Sequence, residues 1–81
     1  MKNRSRTEII ALILGIANNN DGVNKTKIMY NAFLSYPQLK QYLSFLLEKN
    51  LIDFREEERT YRTTDKGSHF LQAYSQISFR K

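Results

Sequence analysis

Cysteine is absent from this 81-residue chain, histidine and proline each occur once, and glycine occurs three times. Without cysteine there is no disulfide framework, no thiolate metal site and no thiol nucleophile, which fits a reducing compartment and sets a cytoplasmic location as the expectation. His69 has no second histidine to work with, and no glycine-rich phosphate loop occurs. A nucleophile with a base partner and a metal site of familiar ligand spacing therefore cannot be assembled. The sequence reads as no enzyme, with no cofactor, no metal and no small-molecule ligand detected. Long apolar runs are missing too: the longest, Ile9 to Leu14, falls far short of the ~20 residues that span a bilayer. No basic start followed by an apolar stretch and a small-residue cleavage site is present. No membrane association is expected.

What is present is ordinary for one folded domain: 41% hydrophobic and 26% charged residues, with a net charge of +5. We read residues 1–81 as a single domain without repeats, low-complexity segments or linkers. The charge is unevenly placed. Lys25, Lys27, Lys40 and Lys49 face only Glu48 in the middle of the chain, and Lys2, Arg4, Arg6, Arg80 and Lys81 enrich the ends. Between them, Asp53, Glu56, Glu57, Glu58 and Asp65 outnumber Arg55, Arg59, Arg62 and Lys66. A polyanion is attracted to the middle segment and the termini, not to residues 50–67.

Residues 1–5 read as a flexible basic tail. The first helix starts at Ser5, because Ser5-Arg6-Thr7-Glu8 fits a capping box, and ends near Asn18. Its residues Ile9, Ile10, Leu12, Ile13, Leu14 and Ile16 leave little polar face, so it lies centrally or under a partner chain. Asn18-Asn19-Asn20-Asp21-Gly22 breaks the pattern. Asn24 caps a second helix from Lys25 to about Phe33, with Ile28, Met29, Ala32 and Phe33 on its apolar face and Leu34 leading into a turn. Ser35 caps a third helix over 35–50, with Gln38 in the reciprocal position and Pro37 in the first turn.

That third helix is expected to bury Leu39, Tyr42, Leu43, Leu46 and Leu47, with Gln38, Lys40, Gln41, Ser44 and Glu48 on the other side. Phe45 fits neither face and reads as packing under the hairpin or marking a dimer surface. Asn50 tolerates the left-handed exit. Ile52 and Phe54 alternate with Asp53 and Arg55 as a half-buried strand, Glu56-Glu57-Glu58 form a solvated tip, and Thr60-Tyr61-Arg62-Thr63 return, giving a hairpin over 51–63. Thr64 or Asp65 then caps a last helix, 64–78, with Phe70, Leu71, Tyr74 and Ile77 as its stripe. The fold class is α+β, mostly helical, in the order helix, helix, helix, strand, strand, helix.

From Arg6 to Tyr74 the chain resembles the archaeal winged helix-turn-helix transcriptional regulators and small chromatin-type DNA-binding proteins. The resemblance rests on Lys25-Thr26-Lys27-Ile28-Met29-Tyr30, Leu34-Ser35-Tyr36, Leu39-Lys40-Gln41-Tyr42-Leu43, Leu51-Ile52 and Tyr61-Arg62-Thr63-Thr64-Asp65-Lys66-Gly67. It implies double-stranded DNA binding by a homodimer, with the third helix in the major groove and the hairpin as a wing along the backbone. The chain departs from the pattern in having Asn50 where glycine is common, and in its acidic wing tip, which phosphate repels. Arg55, Arg59 and Arg62 then touch the backbone from the strands.

On this reading Gln38, Gln41 and Ser44 meet base edges, and Lys40 meets phosphate or guanine. Lys25 and Lys27 contact phosphate at the start of the second helix, and Ser35 and Tyr36 contact the backbone at the start of the third. The bland alternative is a solvated helix face. Exposed Tyr74, Ile77 and Phe79, with the apolar first helix, favour a homodimer. The function expected is a sequence-preferring transcriptional regulator; the alternatives are a protein–protein interaction module, favoured by the acidic tip, and a nonspecific architectural DNA-binding protein.

Overall fold

The computed structural model describes residues 4–79, and of Ser78 and Phe79 the backbone alone. Its elements are α1 (Arg6–Ile16), α2 (Lys25–Asn31), α3 (Tyr36–Glu48), β1 (Ile52–Arg55), β2 (Thr60–Thr63) and α4 (Asp65–Phe79), in the expected order. At the start of α1 the Glu8 N–H donates to Ser5 Oγ at 3.1 Å, and the Ser5 N–H donates to Glu8 Oε1 at 2.9 Å, which closes the capping box. Arg4 donates to the Phe33 carbonyl at 3.3 Å. Residues 1–3 of the expected tail lie outside the described residues.

Because α1 is apolar on nearly every side, it must be surrounded, and α2, β2 and α4 all pack against it. Ile9, Ile10, Ala11, Ile13 and Leu14 are buried within the single chain. Its C-terminal carbonyls are satisfied by the hairpin: Thr63 Oγ1 donates to the Leu14 carbonyl at 2.6 Å, and the Thr63 N–H to the Ala17 carbonyl at 3.1 Å. The polar turn that follows is tied down when the Gly22 N–H donates to Asn19 Oδ1 at 2.6 Å. Gly22 has φ of 75°, and a Cβ there would approach the Tyr61 carbonyl to 3.0 Å. Val23 then bridges to Tyr61 as an isolated third rung on the sheet.

Helix α2 stops at Asn31, short of the expected Phe33. The Leu34 N–H reaches back to the Met29 carbonyl at 3.0 Å and the Phe33 N–H to the Tyr30 carbonyl at 3.3 Å, with Phe33 left-handed at φ 56°. That reversal swings the chain by one residue, so Leu34 is buried and Phe33 is 75% exposed. Phe33, expected on the apolar face, is therefore turned out of it, and Leu34 of the turn is buried instead.

Helix α3 buries Leu39, Tyr42, Leu43 and Leu46. Leu47, expected inside, is 38% exposed, because the rotation of ~100° per residue carries it off the stripe toward the hairpin. Phe45 packs half-buried against the core, with Arg6 and Lys49 over its ring. Asn50 adopts φ of 62°, and the Leu51 N–H donates to the Leu46 carbonyl at 2.9 Å, which turns the chain into β1.

The two strands pair antiparallel with Ile52 opposite Thr63, Asp53 opposite Arg62, Phe54 opposite Tyr61 and Arg55 opposite Thr60. The Ile52–Thr63 end is buried in the core, and Tyr61 packs partly buried against it. Phe54, expected to share the burial of Ile52, is 41% exposed because the hairpin projects beyond the helices. Thr64 caps α4, accepting the Gly67 N–H at 3.0 Å while its hydroxyl donates to the Asn50 carbonyl at 2.7 Å. Of the expected α4 stripe, Phe70 and Leu71 pack on the core, Tyr74 is half-buried and Ile77 is 72% exposed. The side chain of Phe79 lies outside the described residues. No helix among the described residues is long and apolar enough to cross a membrane.

Candidate nucleic-acid interface

The exposed surface of α3 divides into two flanks, set by helical rotation. On one flank Tyr36, Lys40, Ser44 and Leu47, spaced by fours and threes, line a shallow recess together with Lys25 from α2 and Tyr61 from β2. Lys25 Nζ lies 5.4 Å and Lys40 Nζ 5.7 Å from the centroid of the Tyr36 ring, which is itself half exposed. Each ammonium gains about 0.5–1 kcal/mol from an exposed ring. Two like charges on one ring also concentrate positive potential, which favours an anion there. Gln41 stands exposed beside Ser44 on the outward face of the helix.

The other flank carries Gln38, Phe45 and Lys49. Gln38 Oε1 accepts the Ser35 N–H at 3.0 Å and the Ser35 hydroxyl at 3.2 Å, while Ser35 Oγ accepts the Gln38 N–H at 3.4 Å. Ser35 and Gln38 are thus first of all the cap of α3, and the amide nitrogen of Gln38 is the group left for an outside partner. Arg6 lies 5.7 Å from the Tyr42 ring and 5.8 Å from the Phe45 ring, with Lys49 5.9 Å from Phe45. This second basic cluster was not grouped by the sequence, since Arg6 comes from α1 and meets α3 only on folding.

At the start of α2, the Lys27 N–H donates to Asn24 Oδ1 at 2.8 Å, so the cap is closed within the chain. The side chains of Lys25 and Lys27 are exposed. The three hairpin arginines go to different places. Arg55 makes an exposed ion pair with Glu58 at 3.9 Å, worth little by itself. Arg59, left-handed at φ 57°, borders a recess shared with Asn24, Lys25, Thr26, Phe54 and Tyr61. Arg62 falls on the opposite sheet face with Asp53 and donates to the Asn20 carbonyl at 3.4 Å.

The fold therefore brings Lys25, Tyr36, Lys40, Ser44 and Arg59 onto one side, and puts Arg62 on another. Leu47, Phe54 and Tyr61 join the first group although sequence reasoning gave them no site role. For Phe54 and Tyr61 the available signal was their cross-strand position, which needs the hairpin register to be read. The family model described as "Winged helix-turn-helix" matches residues 3–80 of the chain. No curated protein matches it.

Proposed function

We propose a DNA-binding role from the premise that the chain belongs to the winged helix-turn-helix family. The winged helix-turn-helix is a DNA-binding fold, and the proposal is that this chain is a sequence-preferring, cytoplasmic transcriptional regulator of double-stranded DNA. The observation that carries it is the convergence of Lys25, Lys40, Tyr36 and Ser44 on the exposed flank of α3. Helix α3 lies in the major groove, Lys25, Lys27 and Lys40 hold phosphates and release counterions, and Gln41 and Ser44 meet base edges. Gln38 contributes through its amide nitrogen, and Ser35 chiefly by fixing the start of the helix. Arg59 supports the backbone from the hairpin, and Arg55 and Arg62 act at longer range. The acidic tip, Glu56 to Glu58, stands clear of phosphate. The protein works as a homodimer, with the outer end of α4, where Ile77 is exposed, as the contact.

The test is a titration against random and genomically selected duplexes at two salt concentrations, repeated with Gln41→Ala and Lys40→Ala. Binding that falls steeply with salt is expected. Gln41→Ala should weaken selected sites more than random DNA, by about 1–3 kcal/mol for a lost base contact, whereas Lys40→Ala should weaken both and lower the salt slope by about one. Absence of binding to any duplex at low salt would sink the proposal. A second reading, nonspecific architectural binding, is favoured by the commitment of Ser35 and Gln38 to the cap, which leaves fewer groups for base edges. Equal affinity for every duplex would select it.

A further inference from the structure

A paired duplex offers phosphates, sugars and base edges to a protein, while the faces of its bases are stacked on one another. The basic side of this molecule also presents flat aromatic surface, whose stacking partner, the free face of a base, a paired duplex does not offer. The Phe54 ring packs tilted against Tyr61, with centroids 4.8 Å apart and planes at 44°, and Phe54 as a whole is 41% exposed. That cross-strand pair accounts for one side of the ring. It does not account for the polar and cationic groups that line the same recess as Phe54.

Those groups come from two elements distant in sequence. Arg59 is the last residue of the hairpin turn, is left-handed at φ 57°, and borders the recess beside Phe54. Lys25 and Thr26 of α2 close the recess from the opposite side. Lys25 also touches the Tyr36 ring, so the hairpin recess runs on into the α3 flank through a shared cation. Flat aromatic surface bordered by cations is the chemistry that holds an unstacked base and its flanking phosphates.

We propose that the recess between Phe54, Tyr61, Arg59 and Lys25 takes an unpaired nucleobase, so that the protein prefers DNA carrying a locally unpaired segment. This rests on the reading that the α3 face binds DNA. The base stacks on the open part of Phe54, and Lys25, Lys40 and Arg59 neutralise the adjoining phosphates. Thr26 also lines the recess and offers a hydroxyl for the edge of the base. The carboxylates of Glu56 to Glu58 repel a stiff duplex that continues past the hairpin, whereas a flexible single strand bends away from them.

The experiment compares one DNA sequence in two forms, fully paired and with a short central bubble, by fluorescence anisotropy at constant salt. A 2-aminopurine probe at the centre of the bubble reports stacking. The bubble is expected to bind roughly tenfold more tightly than the paired form, with quenching of the probe. Phe54→Leu keeps the apolar bulk and removes the π face; it should abolish the preference and the quenching, so that the bubble and the paired form bind this variant equally. Phe54→Trp should retain both. Equal affinity of the native protein for the two forms, or a preference that survives Phe54→Leu, overturns the inference. If paired DNA is bound and no preference appears, this inference alone falls; if neither form is bound at low salt, the DNA-binding reading falls with it.

Discussion

Glycine acts oppositely at two helical positions of this chain, and the difference can be measured. Gly15 in α1 has nothing within 4 Å of the place a Cβ would take, so it contributes only the conformational freedom that disfavours a helix. Gly15→Ala should stabilise the fold by about 0.5–1 kcal/mol. Gly67 lies where α4 crosses the exit of α3: a Cβ there would collide with the Leu51 carbonyl and come within 2.7 Å of Thr63 Cγ2. Backbone cannot give way as a flexible side chain can. Gly67→Ala should therefore lose the helix-propensity gain and destabilise by about 1–3 kcal/mol. For a domain of this size each kcal/mol moves the thermal midpoint by roughly 4–8 °C, so melting curves of the two variants should move apart in opposite directions. A rise for both would mean that α4 packs less closely on Leu51 than described.

Elements are held in place by local rules and by contacts between distant segments, and only the first kind was legible in the sequence. The caps at Ser5, Asn24 and Ser35 depend on side chains three residues from their partners, and the left-handed exit at Asn50 depends on one residue. Each was readable because nothing outside the segment decides it. Phe33, Leu47 and Phe54 went differently. Periodicity assigns a residue to a side of its own element but not to where the neighbouring element ends, and α2 stops early while the hairpin projects past the core. The candidate site shows the same division: the exposure of Lys40 and Ser44 was readable from α3 alone, whereas their alignment with Lys25, Arg59 and Phe54 required the tertiary structure. Thr63 is the joint between these levels, since its buried hydroxyl and its N–H hold the hairpin to the end of α1. Thr63→Val preserves the shape and leaves the Leu14 carbonyl without that donor, at a cost of about 1–2 kcal/mol by denaturant titration. Hydrogen exchange of the Tyr61 and Val23 amides, which bond across that joint, should quicken in the same variant. Unchanged stability would show that the hairpin is anchored by apolar packing alone.

For the molecule as a whole, the described residues extend over 42 × 29 × 20 Å, a length comparable to one turn of duplex DNA at about 34 Å. A single α3 of 13 residues is about 20 Å long, so under the proposed function it reaches one stretch of major groove and a lone copy would read only a half-site. Two copies joined through the outer end of α4 would supply the second half-site and double the cations offered to phosphate. Ile77 tests this arrangement because it is 72% exposed and carries no core contact, so charge placed there leaves the monomer fold intact. Under the dimer proposal the native protein sediments as a dimer at micromolar concentration, and Ile77→Glu sediments as a monomer with an unchanged circular dichroism spectrum. The slope of log affinity against log salt should fall by about half in the variant, since it counts the phosphates neutralised per bound unit. A native protein that sediments as a monomer would remove the dimer. A variant that stays dimeric would move the interface off α4, leaving the α3 face to be tested separately through Lys40 and Gln41.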